Sequence, residues 1–151
     1  MRRAFITAVL LGAAAVLLTV GANTVRASDP LANVSDEASV NAILSRACQD
    51  CHSDNTAWPW YSHLPTVGAA IRNDVSAGRA QLNLSRWSQY KPEQKEEALA
   101  EIAALVRNHL MPPSRYTLLH PGARLSDEDI RRLTQWTSAE RRKIHAQTER
   151  R

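Results

Sequence analysis

The stretch Cys48-Gln49-Asp50-Cys51-His52 holds both cysteines of the 151-residue chain. Whatever these two thiols and the adjacent imidazole grip, the rest of the chain must fold around it. Three chemistries use this spacing. In covalent haem attachment, two thiols three residues apart add across the vinyl groups of the porphyrin, and the next residue, His52, ligates the iron. A thioredoxin-like pair requires strands and a βαβ pattern around the cysteines. A structural zinc site requires four ligands, and often a second paired element. The blandest alternative is a Cys48–Cys51 disulfide, whose short loop would stabilise little.

The remaining pattern is helical. Ser35 is placed to cap a helix from about Asp36, with Val40, Ile43, Leu44 and Ala47 on one face. That helix delivers Cys48. Pro59 and Pro65 bracket an irregular aromatic segment, Trp58 to Tyr61. A second helix is expected from Val67 to about Ala77, burying Ile71 and Val75, with Gly78 near its end. A loop through Asn83 and Trp87 leads to Pro92, which suits the first turn of a third helix. The apolar face of that helix is Ala98, Ile102, Leu105, Val106 and Leu110, and Met111-Pro112-Pro113 is expected to stop it. Tyr116 and His120 fall in a loop. Ser126 and Asp129 spell a capping box for the last helix, with Leu125 stapling to Ile130 and Leu133 and Trp136 continuing the face. No strand-like alternation interrupts this, so the expected fold is all-α, without the βαβ frame of a thiol oxidoreductase. No second paired element completes a zinc site.

The N-terminus points to an oxidising compartment. Arg2 and Arg3 precede an uncharged run from Ala4 to Ala22, and Val25-Arg26-Ala27 offers small residues where a signal peptidase reads. Residues 1–27 are expected to be a cleaved export signal; the alternative is an uncleaved anchor, since 19 apolar residues approach the roughly 20 that span a bilayer. Either way the remainder lies outside the cytoplasm, which is where haem attachment to C-x-x-C-H takes place. Residues 28–35 are expected to be a linker, 36–138 the domain, and 139–151 a fraying polar tail. Removing Arg2, Arg3 and Arg26 leaves 16 basic residues against 15 acidic. That balance, with scattered basic residues, argues against nucleic-acid binding.

Motif, compartment and helical pattern agree on one haem c. The other axial ligand is expected to be Met111, the one methionine left after signal removal, lying past a helix end where a loop could carry it across the iron. Core packing is the ordinary alternative for a methionine. His63, His109 and His120 are rival ligands, with His109 the best placed of them.

The stretches "CHSDNTAWPWYSHLP", "GRAQLNLSRW" and "MPPSRYTLLHPGARLS" resemble the bacterial haem-binding domain family of small exported c-type cytochrome-like proteins. The resemblance runs from about Ser45 to Trp136. It implies a compact cytochrome c-like helical domain, with Cys48 and Cys51 as thioethers, His52 as proximal ligand and Met111-Pro112 as the distal element. The chain departs from the family pattern at Asp74, where many members have a histidine. Trp58, Trp60 and Tyr61 are expected either to line the haem pocket or to fill a small core. Arg72, Arg79 and Arg115 are candidate partners for the haem propionates. The expected function is single-electron transfer to and from unidentified redox partner proteins in the periplasm, without catalysis. The competing class is a haem enzyme or gas or redox sensor with a displaceable distal ligand.

Overall fold

The computed structural model describes residues 30–150, with side chains from residue 37 onward. The expected export signal, residues 1–27, lies outside the described residues. Six α-helices follow in order: α1 (Pro30–Ala47), α2 (Gln49–His52), α3 (Pro65–Gln81), α4 (Pro92–Arg107), α5 (Ser114–Leu119) and α6 (Asp127–Thr148). Three 3₁₀ turns, Trp60–His63, Leu84–Gln89 and Pro121–Ala123, join them. Among the described residues there is no strand, so the fold is all-α. No helix among them is long and apolar enough to cross a membrane.

Three helices carry the core. Val40 and Ile43 of α1, Val106 of α4 and Leu133 of α6 form one buried cluster. Leu44, Ile102, Leu125, Ile130 and Trp136 pack against it. The i, i+3 spacing of Val40 and Ile43 is what presents both to the same neighbours. Arg46 ties the first helix to the last, reaching Asp129 at 2.6 Å and the carbonyls of Gly122 and Arg124.

Where the local signals are strong, expectation and structure coincide. Pro92 opens α4, and the Gln94 side chain accepts from the Lys91 N–H at 2.9 Å. Ser126 Oγ accepts from the Asp129 N–H at 3.1 Å while Asp129 accepts from the Ser126 N–H at 2.8 Å, completing the capping box of α6. The acids Asp127, Glu128 and Asp129 occupy its first turn, where the helix dipole favours them.

Four boundaries differ from the sequence reading. First, α1 starts at Pro30, ahead of the Ser35 cap, so most of the expected linker is helical; proline's fixed φ suits a first helical position. Second, α3 runs through Gly78 to Gln81, because Gly78 is used for close packing and not as a stop. Third, α4 ends at Arg107, ahead of Met111 and its prolines. His109 takes a left-handed conformation (φ 54°), its N–H bonds the Val106 carbonyl, and the Leu110 N–H bonds the Leu105 carbonyl at 2.9 Å. That pair of bonds is a Schellman stop. Leu110, expected on the apolar face, is consequently exposed. Fourth, α6 continues to Thr148 where a fraying tail was expected. Arg141 and His145, one turn apart, both reach Glu96 of α4, at 3.2 and 2.8 Å, and fasten the extension down.

Candidate functional site

The C-x-x-C-H residues sit at the junction of α1 and α2. The Cys48 N–H bonds the Leu44 carbonyl at 3.0 Å and the His52 N–H bonds the Cys48 carbonyl at 2.9 Å, so the motif continues the helical path of α1 with only a slight break. Gly78 of α3 lies against the carbonyl of Cys51. Any larger residue would hold α3 away from the motif.

Beside the motif lies a cavity of about 730 Å³. That falls within the range of pockets that enclose a small organic ligand, roughly 300–1,000 Å³. Its walls are mainly apolar: Leu44 and Ala47 of α1, Ile71 and Val75 of α3, Ile102 and Leu105 of α4, and Pro112 and Pro113 after it. Cys48, Cys51 and His52 open onto this cavity, and so does Met111. The four residues expected to hold a cofactor are therefore brought to one space, from two segments about 60 positions apart.

His52 is oriented from behind. Its Nδ1 lies 3.2 Å from the carbonyl oxygen of Leu82. A carbonyl only accepts, so Nδ1 carries the proton and Nε2 keeps its lone pair free for a metal. The Leu82 carbonyl is in turn fixed by its neighbour Asn83. Asn83 is buried, donates through Nδ2 to Asp54 at 2.8 Å, accepts from the Ser85 N–H at 3.0 Å, and gives its own N–H to the Tyr90 hydroxyl at 2.8 Å.

Both cysteines are free thiols in this structure. Burial pushes Cys48 up to about 11, against the opposing pull of Arg46. Burial also raises Cys51, with Asp50 and Asp74 adding to it. Among the described residues no group of three or more His, Cys, Asp or Glu is arranged to hold a metal ion. What the site offers is two thiols, one imidazole and one thioether around an apolar space. That donor set would suit a haem, with Cys48 and Cys51 able to hold the porphyrin and His52 and Met111 able to offer donors to its iron.

Other expected site residues divide. Tyr61 lines the cavity, but Trp58 and Trp60 do not. Trp60 is 77% exposed and Trp58 46% exposed, so neither lines the pocket nor fills a core. The 3₁₀ turn from Trp60 points neighbouring side chains in different directions, and Trp60 meets the Tyr61 ring edge-on at 5.7 Å. Of the rival histidines, His63 and His109 are exposed and off the cavity; His109 is spent on the helix stop. His120 does line it. Its Nε2 pairs with the Tyr61 hydroxyl at 2.6 Å, and its ring stacks on Tyr116 at 4.3 Å. Tyr116 donates its own hydroxyl to Asp50 at 2.7 Å. This network escaped the sequence reading, which left Tyr116 and His120 in a loop; the tyrosine–histidine spacing of four, one helical turn, is the signal that was present. Of the three arginines, Arg115 alone lines the cavity, paired with Asp74 at 2.9 Å. Arg79 is committed elsewhere, to the Ser53 carbonyl at 2.7 Å and Thr56 at 2.8 Å. Arg72 is exposed and off the cavity.

The haem-binding domain family model matches residues 8–139. Among curated proteins, the cytochrome c peroxidase Ccp of Escherichia coli (strain K12) is 26% identical over 108 residues. The match covers 69% of this chain but 23% of that protein, so the chain spans about a quarter of the relative's length. No solved structure matches.

Proposed function

The chain belongs to the haem-binding domain family, and from that premise we propose that it carries one covalently attached haem c and passes single electrons outside the cytoplasm. The observation that carries this reading is the convergence of Cys48, Cys51, His52 and Met111 on one apolar cavity. When bound, haem supplies a one-electron couple at the iron. The residues of the chain do the rest. Cys48 and Cys51 would hold the porphyrin, each thiol adding across one vinyl group to give a thioether. The Leu82 carbonyl fixes the tautomer and angle of His52. Met111 would offer a soft thioether to the iron, a donor that favours the reduced metal and would raise the potential relative to a second imidazole. Apolar walls exclude water and disfavour added charge, in the same direction. Arg115 with Asp74, at the cavity edge, is the polar pair best placed for a propionate. The export-type segment at residues 1–27 supports periplasmic residence, cleaved or anchored at the inner membrane, with redox proteins as partners.

A second reading is a haem enzyme or sensor whose distal ligand gives way. It is favoured by the polar pair Tyr61–His120 inside the cavity and by the likeness to a peroxidase. Optical spectra separate the two. For the carrier, the oxidised protein shows the weak far-red band of methionine bound to iron and takes up neither CO on reduction nor peroxide on oxidation. Met111→Ala should remove that band, lower the potential and admit CO or peroxide. Met111→His should retain six-coordination at a lower potential. A wild-type protein that lacks the band and binds CO rapidly would replace the first reading with the second.

A further inference from the structure

The segment that carries Met111 is fastened to the cysteine motif by a bond that involves neither Met111 nor His52. Tyr116 stands on α5, five residues after Met111. Its hydroxyl donates to Asp50 Oδ2 at 2.7 Å, and Asp50 lies between the two cysteines. The other oxygen of Asp50 accepts from the Ala57 N–H at 3.0 Å, so the acceptor is itself held in place. On the far side, the Tyr116 ring stacks on His120, which pairs with Tyr61. Residues 111–120 are thus tied at both Asp50 and Tyr61 to other segments that line the cavity. The neighbouring Arg115–Asp74 pair also links this segment to α3, but its side chains are 70% and 46% exposed, which makes it weak. Tyr116 is half-buried. Burial, then the bond to Asp50, raises its pKa, so its hydroxyl keeps the proton it donates throughout the neutral range.

We propose that the Tyr116–Asp50 hydrogen bond is a clasp that sets how readily Met111 is displaced from the iron by an external ligand, with Tyr116 as the positioning residue. The proposal rests on Met111 being the distal ligand. Displacement of Met111 requires the loop before α5 to move away from the motif, and the clasp opposes that movement. A hydrogen bond to a charged acceptor is worth on the order of ten- to a hundredfold in an equilibrium constant.

The test is an imidazole titration of the oxidised, haem-loaded full chain, read by loss of the far-red methionine band. Tyr116→Phe removes one hydroxyl and leaves the stacked ring. It should keep the band without imidazole and bind imidazole about tenfold more tightly than wild type. Asp50→Ala should do the same, and Tyr116→Phe added to Asp50→Ala should change little further, because both remove one bond. An unchanged imidazole affinity in Tyr116→Phe, or fully additive effects in the double variant, overturns the clasp while Met111 stands as ligand. A wild-type protein without the methionine band overturns the Met111 assignment, and the clasp falls with it. Should Tyr116→Phe fail to accumulate with haem, the Asp50→Ala titration decides alone.

Discussion

Replacing Gly78 by alanine probes how tightly α3 is pressed against the cysteine motif. A Cβ built on Gly78 stands 2.7 Å from the carbonyl oxygen of Cys51 and 3.2 Å from its Cβ. Real Cβ atoms essentially never come closer than 3.0 Å, so something must give by at least 0.3 Å. The obstacle is backbone, which cannot swing aside like the end of a long side chain. Two effects oppose each other. Alanine gains roughly 0.5–1 kcal/mol over glycine inside a helix. Overpacking costs roughly 1–3 kcal/mol. The second should win, leaving Gly78→Ala destabilised by about 1–2 kcal/mol. The displaced atoms belong to Cys51, next to His52, so the fraction of chains that acquire haem should fall too. Gly122 is the control. Nothing lies within 4 Å of a Cβ there, so Gly122→Ala should stay within about 0.5 kcal/mol of wild type. Denaturant unfolding of the haem-loaded proteins, followed by circular dichroism, gives both numbers. Gly78→Ala equal to or more stable than wild type would refute the close-packing argument.

Two further substitutions test the frame around the site. At Asp129, burial raises the pKa, but hydrogen bonds from Arg46 and Ser126 outweigh it and hold the group below its ordinary 3.8. A lowered folded value means the stabilisation is fully present above 3.8 and is lost as pH falls through the lower folded value. Asp129→Asn should therefore cost about 1 kcal/mol at neutral pH and flatten the acid side of the stability curve; a variant with the wild-type acid profile contradicts the assignment. His109→Gly relieves a left-handed non-glycine residue at the end of α4 and should stabilise the protein by about 0.5–1 kcal/mol without altering the haem spectrum. A changed spectrum would return His109 to the list of ligands.

What was legible in the sequence was local. The Ser126–Asp129 box and the proline at the start of α4 satisfy helix ends with nearby residues, so their signals survive without tertiary information. The apolar faces expected on α3 and α4 do line the cavity onto which Cys48, Cys51, His52 and Met111 open. What stayed hidden depends on partners far along the chain. Gly78 resembles a helix stop until Cys51 is seen against it. The tail beyond Ala139 looks disposable until Glu96 of α4 is seen to hold Arg141 and His145. Trp58, Trp60 and Tyr61 were all expected at the pocket or in a core, yet of the three only Tyr61 lines the cavity, because the short turn sends neighbouring side chains in different directions. Tyr116 and His120 gain meaning from Asp50 and Tyr61, 66 and 59 positions away.

The central claim is that Cys48 and Cys51 hold the haem as thioethers. The most direct measurement is to denature the haem-loaded protein in acid, extract with organic solvent, and determine the mass of the polypeptide that remains. The account predicts that the haem stays with the chain, that replacing either cysteine by alanine leaves it attached through a single bond, and that replacing both releases it. Haem that passes wholly into the solvent from the wild-type protein would contradict it.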